Sequence, residues 1–505
     1  MISCRFVLLM TLCVVFGPSF SQKIVYSAPD REETRRINFE VIGKVSGNFL
    51  IYKNNRTKNY IVAYNENMEQ LAKEKHDYIP DDRLINVDFF AYPDYAWMVY
   101  QYQRKNVVYC NAVKVDGMGK KISDVVQLDT SHIGFTTSNK IYSSVTSEDK
   151  GQIMIFKINS RNRSRFVITT LLYNNALTLK KRSTMLLPME ERDDYLDEFA
   201  VDNEGDFVFA KFKRSSSESI ESTFLIWKEA SADTFATVEI RLDKILLDEP
   251  HLKVDNVNKR YFLTSFYYKQ KRGNIDGFYF YVWDKNTRRP ALENTLVLGE
   301  ELRKESKGDA NVKMAFNDYF IRNVIIKRDG GFIIGSEAYY TTSRVGNWNR
   351  WNYMYGSPFN NYDYLASSPL YNSWYWRNRN SNTANRHHAD NITILSFDKN
   401  GKLEWNSVIH KEQFDDESGD YISYQLMNTG GQLHFVFNQE EKRQQLLNDY
   451  TLTATGELNR NPTLKNLDKG FEFLPKFGKQ VSARQVIIPC YYRNFVCFAK
   501  LEFNS

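Results

Sequence analysis

The chain has 505 residues and a formal net charge of +6, with 25% of its residues charged and 15% aromatic. That much charge beside that much ring surface excludes a disordered chain. A charge so small over this length, with no basic run, excludes a nucleic-acid-binding surface.

At the N-terminus, Arg5 precedes an apolar run from Phe6 to Phe16, Gly17-Pro18 breaks it, and Ser19 and Ser21 stand at −3 and −1 of a cut before Gln22. This charged, apolar, small-residue order predicts a secretory signal over residues 1–21. The run is short of the roughly 20 residues that span a bilayer, and no later stretch reaches that length. The expectation is an exported chain, periplasmic or extracellular, with no transmembrane segment after cleavage. Three cysteines then remain, Cys110, Cys490 and Cys497, an odd number that excludes a fully paired disulfide framework.

Along the chain one unit recurs: a short strand, a tight polar turn, a strongly apolar strand, a turn, a third strand and a weaker fourth. The second strands begin at Asn48, Tyr95, Gln152, Asp206, Arg260, Gly331, Gln432 and Arg484. Turn formers precede them, among them Ser46-Gly47, Asn203-Glu204-Gly205, Asp329-Gly330 and Thr429-Gly430. Helical patterning is confined to Asn67 to Lys75, Leu302 to Lys307 and Glu440 to Asn448. A unit of about 50 residues with three or four strands is the spacing of a propeller blade, because such a sheet must bury both faces against neighbours. We therefore expect an all-β fold: a single β-propeller over residues 22–505, of eight blades or alternatively seven. The eighth unit has three strands, so Lys23-Ile24-Val25-Tyr26 is expected to supply its outer strand and close the ring.

The segment Asp398-Lys399-Asn400-Gly401-Lys402-Leu403-Glu404-Trp405 resembles the Asp-x-x-Gly-x-x-x-Trp turn of quinoprotein-like and Asp-box propeller repeats. As a whole, the chain after residue 21 is similar to exported propeller proteins common in Bacteroidota. The resemblance implies the fold and the address; it carries no activity and no site residues.

Function in such a fold concentrates where the loops between second and third strands, and between one blade and the next, share a face. An insertion at 341–390 interrupts the sixth unit there. It holds Trp348, Trp351, Tyr353, Tyr355, Trp374, Tyr375, Trp376 and Arg377 among many Asn residues. Long loops of this aromatic, Arg- and Asn-rich composition are either recognition surfaces for protein or glycan or caps packed for stability. Carboxylates also gather in the blade-to-blade loops, notably Asp193, Asp194, Asp415 and Asp416, with Asp129 counted among them. They read either as solvated loop acids or as a weak Ca²⁺ site; no cofactor is otherwise expected. His387-His388 lacks a further spaced metal ligand, and no nucleophile, zinc or phosphate-loop motif occurs. If the chain turns at Arg493-Asn494, Cys490 faces Cys497, as a disulfide or as two buried thiols. Two functions stay open: a non-catalytic binding or scaffold propeller for a protein or glycan of the cell envelope, and a propeller-type glycan hydrolase or lyase using the carboxylates of that face.

Overall fold

A computed structural model describes residues 22–30, 37–55, 58–80, 84–133, 140–162, 165–189, 194–214, 219–271, 273–307, 312–343, 385–416, 419–441, 444–461 and 470–503. The signal segment 1–21 lies outside them. The described chain is an all-β propeller built of four-stranded antiparallel meanders.

The first meander comprises Asn38–Val45, Asn48–Asn55, Lys58–Tyr64 and Gln70–Lys75, and the second Leu84–Ala91, Ala96–Arg104, Val107–Val115 and Val126–His132. The third comprises Tyr142–Thr146, Gln152–Asn162, Arg165–Asn174 and Leu179–Pro188, and the fourth Asp194–Val201, Phe207–Arg214, Ile220–Lys228 and Ala236–Ile240. In the fifth, His251–Asp255, Arg260–Tyr268, Gly277–Asp284 and Arg289–Val297 follow one another; in the sixth, Tyr319–Ile326, Phe332–Ser343, Asn385–Phe397 and Leu403–Ile409. The seventh is Tyr424–Asn428, Gln432–Glu441, Gln444–Thr453 and Leu458–Arg460. In the eighth, Phe471–Phe473 and Lys479–Gln480 share the inner position beside Gln485–Tyr492, followed by Phe495–Glu502. Leu246–Leu247 pairs with strands of both the fourth and fifth meanders and joins them into one sheet.

Every predicted second and third strand is found. One of the three predicted helices is present, as the helix Glu300–Lys307. The other two are corrected. Gln70–Lys75 is the outer strand of the first meander, and Glu440–Glu441 and Gln444–Asn448 belong to two paired middle strands. Both segments are rich in Gln, Glu and Lys, which favour helix in isolation, but sheet pairing to an already formed neighbour overrides that preference.

The meanders are held to one another by what their middle strands bury. In Asn48–Asn55, Leu50 and Tyr52 pack toward the second meander with Val87, Met98 and Val113, while Phe49 and Ile51 pack toward the eighth with Ile487, Tyr491 and Phe498. The same two-sided burial recurs at each step, as with Phe262, Phe280, Phe332 and Phe397 between the fifth and sixth meanders. The last of these clusters joins the eighth meander to the first, so the packing closes on itself.

Turns at the edge opposite the insertion carry a second bond between neighbours. Asp398 Oδ1 accepts the N–H groups of Asn400 and Lys402, and Asp116 Oδ1 those of Met118 and Lys120, which shapes a tight Asx turn with glycine at positive φ. The turn then presses on the preceding meander. A Cβ at Gly456 would lie 2.6 Å from the Trp405 ring, and one at Gly401 2.6 Å from the Phe280 ring. The Trp405 indole N–H also donates to Ala454 O at 3.3 Å. The tryptophan of the Asp-x-x-Gly-x-x-x-Trp segment is thus a dock for the turn of the next meander.

Closure follows the expectation. Lys23–Tyr26 pairs antiparallel with Phe495–Glu502, Lys23 opposite Glu502 and Tyr26 opposite Ala499. Ser27 N–H donates to Phe498 O at 2.9 Å, and its Oγ accepts Phe498 N–H at 3.0 Å.

Two outcomes test this packing. Removing Lys23 to Ser27 strips one side of the ladder from Phe495–Glu502 and should cost roughly 2–5 kcal/mol in urea unfolding; an unchanged midpoint would contradict closure by this strand. Gly456→Ala should cost about 1–3 kcal/mol, from its positive φ and the contact with Trp405. Gly430→Ala, which meets nothing within 4 Å, isolates the φ contribution alone.

Candidate functional site

In a meander, the loop from second to third strand leaves from the same edge as the loop to the next meander. The sixth meander shows this directly. Phe332–Ser343 and Asn385–Phe397 stay paired out to Ser343 opposite Asn385. Phe414–Asp415, from the loop to the seventh meander, adds a third strand against His387 and His388. The expected insertion of 341–390 therefore has ordered roots: its first three and last six residues belong to strands.

On one side of this three-stranded root, Tyr340, His388 and Phe414 lie in register. The Tyr340 and His388 rings stack at 4.5 Å with planes 7° apart. Tyr340 Oη donates to Asp390 at 2.9 Å. Arg386 lies over Phe414 at 4.5 Å and grips Asp416 with two bonds of 2.6 and 2.9 Å. Burial lowers the His388 pKa and raises that of Asp390. On the other side, Tyr339 Oη lies 3.2 Å from His387 Nδ1, and Gly419, at a φ of +70, lies against both side chains.

Beneath the root lies a buried ion-pair network. Glu337 is fully buried between Arg322 at 2.7 Å and Lys411 at 2.8 Å, and Ser423 Oγ donates to it at 2.5 Å. Lys411 also donates to Ala389 O and to Gln413, both at 2.7 Å. Burial lowers the Lys411 pKa, the Glu337 carboxylate opposing it. Charges left unpaired at such depth would be strongly destabilising, so the network fixes the strands on which the root stands.

A second charged group lies on the same face, between the fourth and fifth meanders. His251 Nδ1 lies 3.4 Å from Glu198 and Nε2 3.9 Å from Glu249. Glu198 sits in a bulge at φ 61, and its carboxylate also accepts Leu252 N–H at 2.6 Å. Burial alone would lower the His251 pKa, but Glu198 first and then Glu249 outweigh it and hold it well above the ordinary value.

The sequence-predicted residues divide as follows. Trp348, Trp351, Tyr353, Tyr355, Trp374, Tyr375, Trp376, Arg377 and Asp193 lie outside the described residues. Asp194 faces Lys211 at 3.6 Å in the fourth meander, whereas Asp415 and Asp416 belong to the root in the sixth. Asp129 is corrected from a loop acid to a strand residue. It binds Lys157 at 2.6 Å and Arg182 at 2.9 Å across the interface of the second and third meanders. Cys490 stands opposite Cys497 in the expected register, both as free thiols.

Among the described residues, one group of three acids has ligand atoms within 4.8 Å of one another: Asp202, Glu204 and Asp206. It lies at the opposite edge, in the turn between Asp194–Val201 and Phe207–Arg214. The Lys285 ammonium reaches all three, at 2.8 Å from Glu204 and 2.9 Å from Asp206. Sequence reasoning saw only a turn at Asn203-Glu204-Gly205, because the lysine that balances the acids comes from the next meander.

No protein-family model matches the chain, and no curated protein matches it, so the similarity to exported proteins of Bacteroidota remains a reading of the sequence. Among solved structures, prolyl oligopeptidase B from Galerina marginata aligns over 91% of this chain at 9% identity and a TM-score of 0.41; the alignment spans 56% of that enzyme. The β-propeller domain of the Trilobed protease from Pyrococcus furiosus aligns over 83% of this chain and 93% of its own, at 8% identity and a TM-score of 0.38. Polysaccharide lyase Uly1 aligns over 84% and 90%, at 9% identity and a TM-score of 0.37. The fold of this chain rests on its own strand topology.

The His251 group carries a pH signature. Its folded-state pKa lies above the unfolded value near 6.5, so the stability it contributes is full below that value and is lost as pH rises through the folded pKa. His251→Gln should therefore cost about 1–3 kcal/mol at pH 6 and less at pH 9. Urea midpoints of both proteins at the two pH values test this, and an equal loss at both would show that His251 is neutral when folded.

Proposed function

We propose that this chain is an exported, non-catalytic binding propeller, each meander forming one blade of an eight-bladed ring. Its ligand is a protein or glycan of the cell envelope, taken by the face that carries the insertion. The observation that supports this reading most is the root itself. Two strands run past the sheet edge, a third pairs onto them, and an ion-pair network fixes their base. The sequence between those two strands is the one richest in Trp, Tyr and Arg, the residue types that anchor interfaces. The carboxylates named for a hydrolase or lyase fit it less well, since Asp416 is held by Arg386 and Asp194 faces Lys211.

The roots set where the segment is cut. Joining Tyr340 to Asn391 would remove paired strand residues, so residues 344–384 are replaced by Asn-Gly between Ser343 and Asn385, which already face each other. The shortened protein should keep its unfolding midpoint and lose capture of envelope components in pull-downs and glycan arrays. Trp374→Ala or Trp376→Ala should each weaken that capture by roughly 1–4 kcal/mol. A lowered midpoint with capture intact would instead make the segment a stabilising cap.

A further inference from the structure

The eighth meander holds a pair of groups that the proposed binding function does not use. Arg493 and Asn494 both adopt positive φ, at 49° and 77°, and make a two-residue turn between Gln485–Tyr492 and Phe495–Glu502. A turn of this kind fixes the register of the strands it joins. Pairing runs Tyr492 with Phe495, Tyr491 with Val496, and Cys490 with Cys497. Directly opposed residues of antiparallel strands have Cα atoms about 4.5–5.5 Å apart, inside the span that a disulfide bridges. Both side chains face the seventh meander and are fully buried among Met427, Val436, Val486 and Leu501. Their sulfurs lie 2.8 Å apart, and Cys497 Sγ points to Cys490 O at 3.4 Å. No polar group of another element bonds to either thiol among the contacts described. Cys110 is equally buried, but it lies between the second and third meanders in a cluster with no second cysteine.

We propose that Cys490 and Cys497 are the site of a disulfide, formed as the chain folds in an oxidising compartment, that rivets the two middle strands of the sheet closed by Lys23–Tyr26. In forming it, each thiol loses its proton and a single S–S bond replaces two S–H bonds. The two electrons and two protons pass to a disulfide oxidant, oxidised glutathione or a disulfide-carrying protein, which becomes two thiols. Burial matters for the timing. A thiolate is the attacking species, and burial holds the Cys490 thiol well above its ordinary pKa. Exchange belongs to the folding chain, and the finished sheet then shields the bond from reductant. The pair is one rung from the seam: Tyr26 pairs with Ala499, two residues beyond Cys497.

Refolding from denaturant in oxidised and reduced glutathione tests this, followed by alkylation under denaturing conditions and trypsin digestion without reduction. Cleavage after Arg484, Arg493 and Lys500 places the two cysteines on separate peptides, 485–493 and 494–500. The expected product is one linked species with the summed mass of both less two hydrogens, while the Cys110 peptide is alkylated. The linked species should survive millimolar reductant at native conditions and disappear once denaturant is added. Two separately alkylated peptides, either cysteine carrying glutathione, or a link to Cys110 would each overturn the proposal. Cys490→Ser supplies a second readout. The oxidised wild-type protein should melt above its reduced form, and the variant should melt at one temperature in both buffers. A variant that kept the redox shift would assign it to other cysteines.

Discussion

Everything in this molecule depends on the burial of both faces of its middle strands. A four-stranded sheet has two apolar faces, and each here is covered by the adjoining sheet. Phe49 and Leu50, neighbours in sequence, serve different interfaces because successive side chains of a strand point to opposite faces. Neither face can be left open without exposing a row of rings, so no meander is stable alone and the series must return to its start. The clusters do return: the last joins Ile487 and Phe498 to Val41 and Phe49.

From that constraint follows the division of the two edges. At one edge several turns are built on Asp or Asn accepting backbone N–H groups, and Gly119, Gly401 and Gly456 press onto the preceding sheet. Those three glycines leave no room for a side chain, since a single carbon at Gly401 or Gly456 meets a ring. The other edge takes the longest connections. There the chain places its insertion, the Glu337 network and the His251 group. The charges at that edge hold loops and strand ends in place, as Arg386 holds Asp416 and Lys476 holds Asp420 at 3.2 Å.

The fold could be read from the sequence because two-sided burial writes itself as unbroken apolar runs: NFLIYK, YAWMVY and FVFAKF need no alternation to be recognised as strands. Outer strands escape that signal. Gln70–Lys75 has four polar residues in six and one solvated face, so its letters resemble those of a helix. The root of the insertion was legible only as composition; that Tyr340, His388 and Phe414 fall in one row depends on a register between segments separated by other loops. The His251 group was not legible at all. Glu198, Glu249 and His251 carry no motif, and a glutamate gives no sign of the left-handed backbone found at Glu198. Cys490 and Cys497 could be placed because they share one hairpin, where turn length alone sets the pairing.

The seam has a kinetic consequence. Lys23–Tyr26 and Phe495–Glu502 are almost the whole chain apart, and a contact of such sequence separation carries the largest loop-closure entropy in the molecule. Until it forms, the strand and the sheet edge it completes are each without a partner. The four-residue strand supplies the same hydrogen bonds to the edge of another copy as to its own, so two chains folding side by side compete with one chain closing on itself. Intramolecular closure prevails when its effective concentration exceeds that of free chains. Crowded folding instead favours copies joined by exchanged strands, each ring complete and each completed by the other.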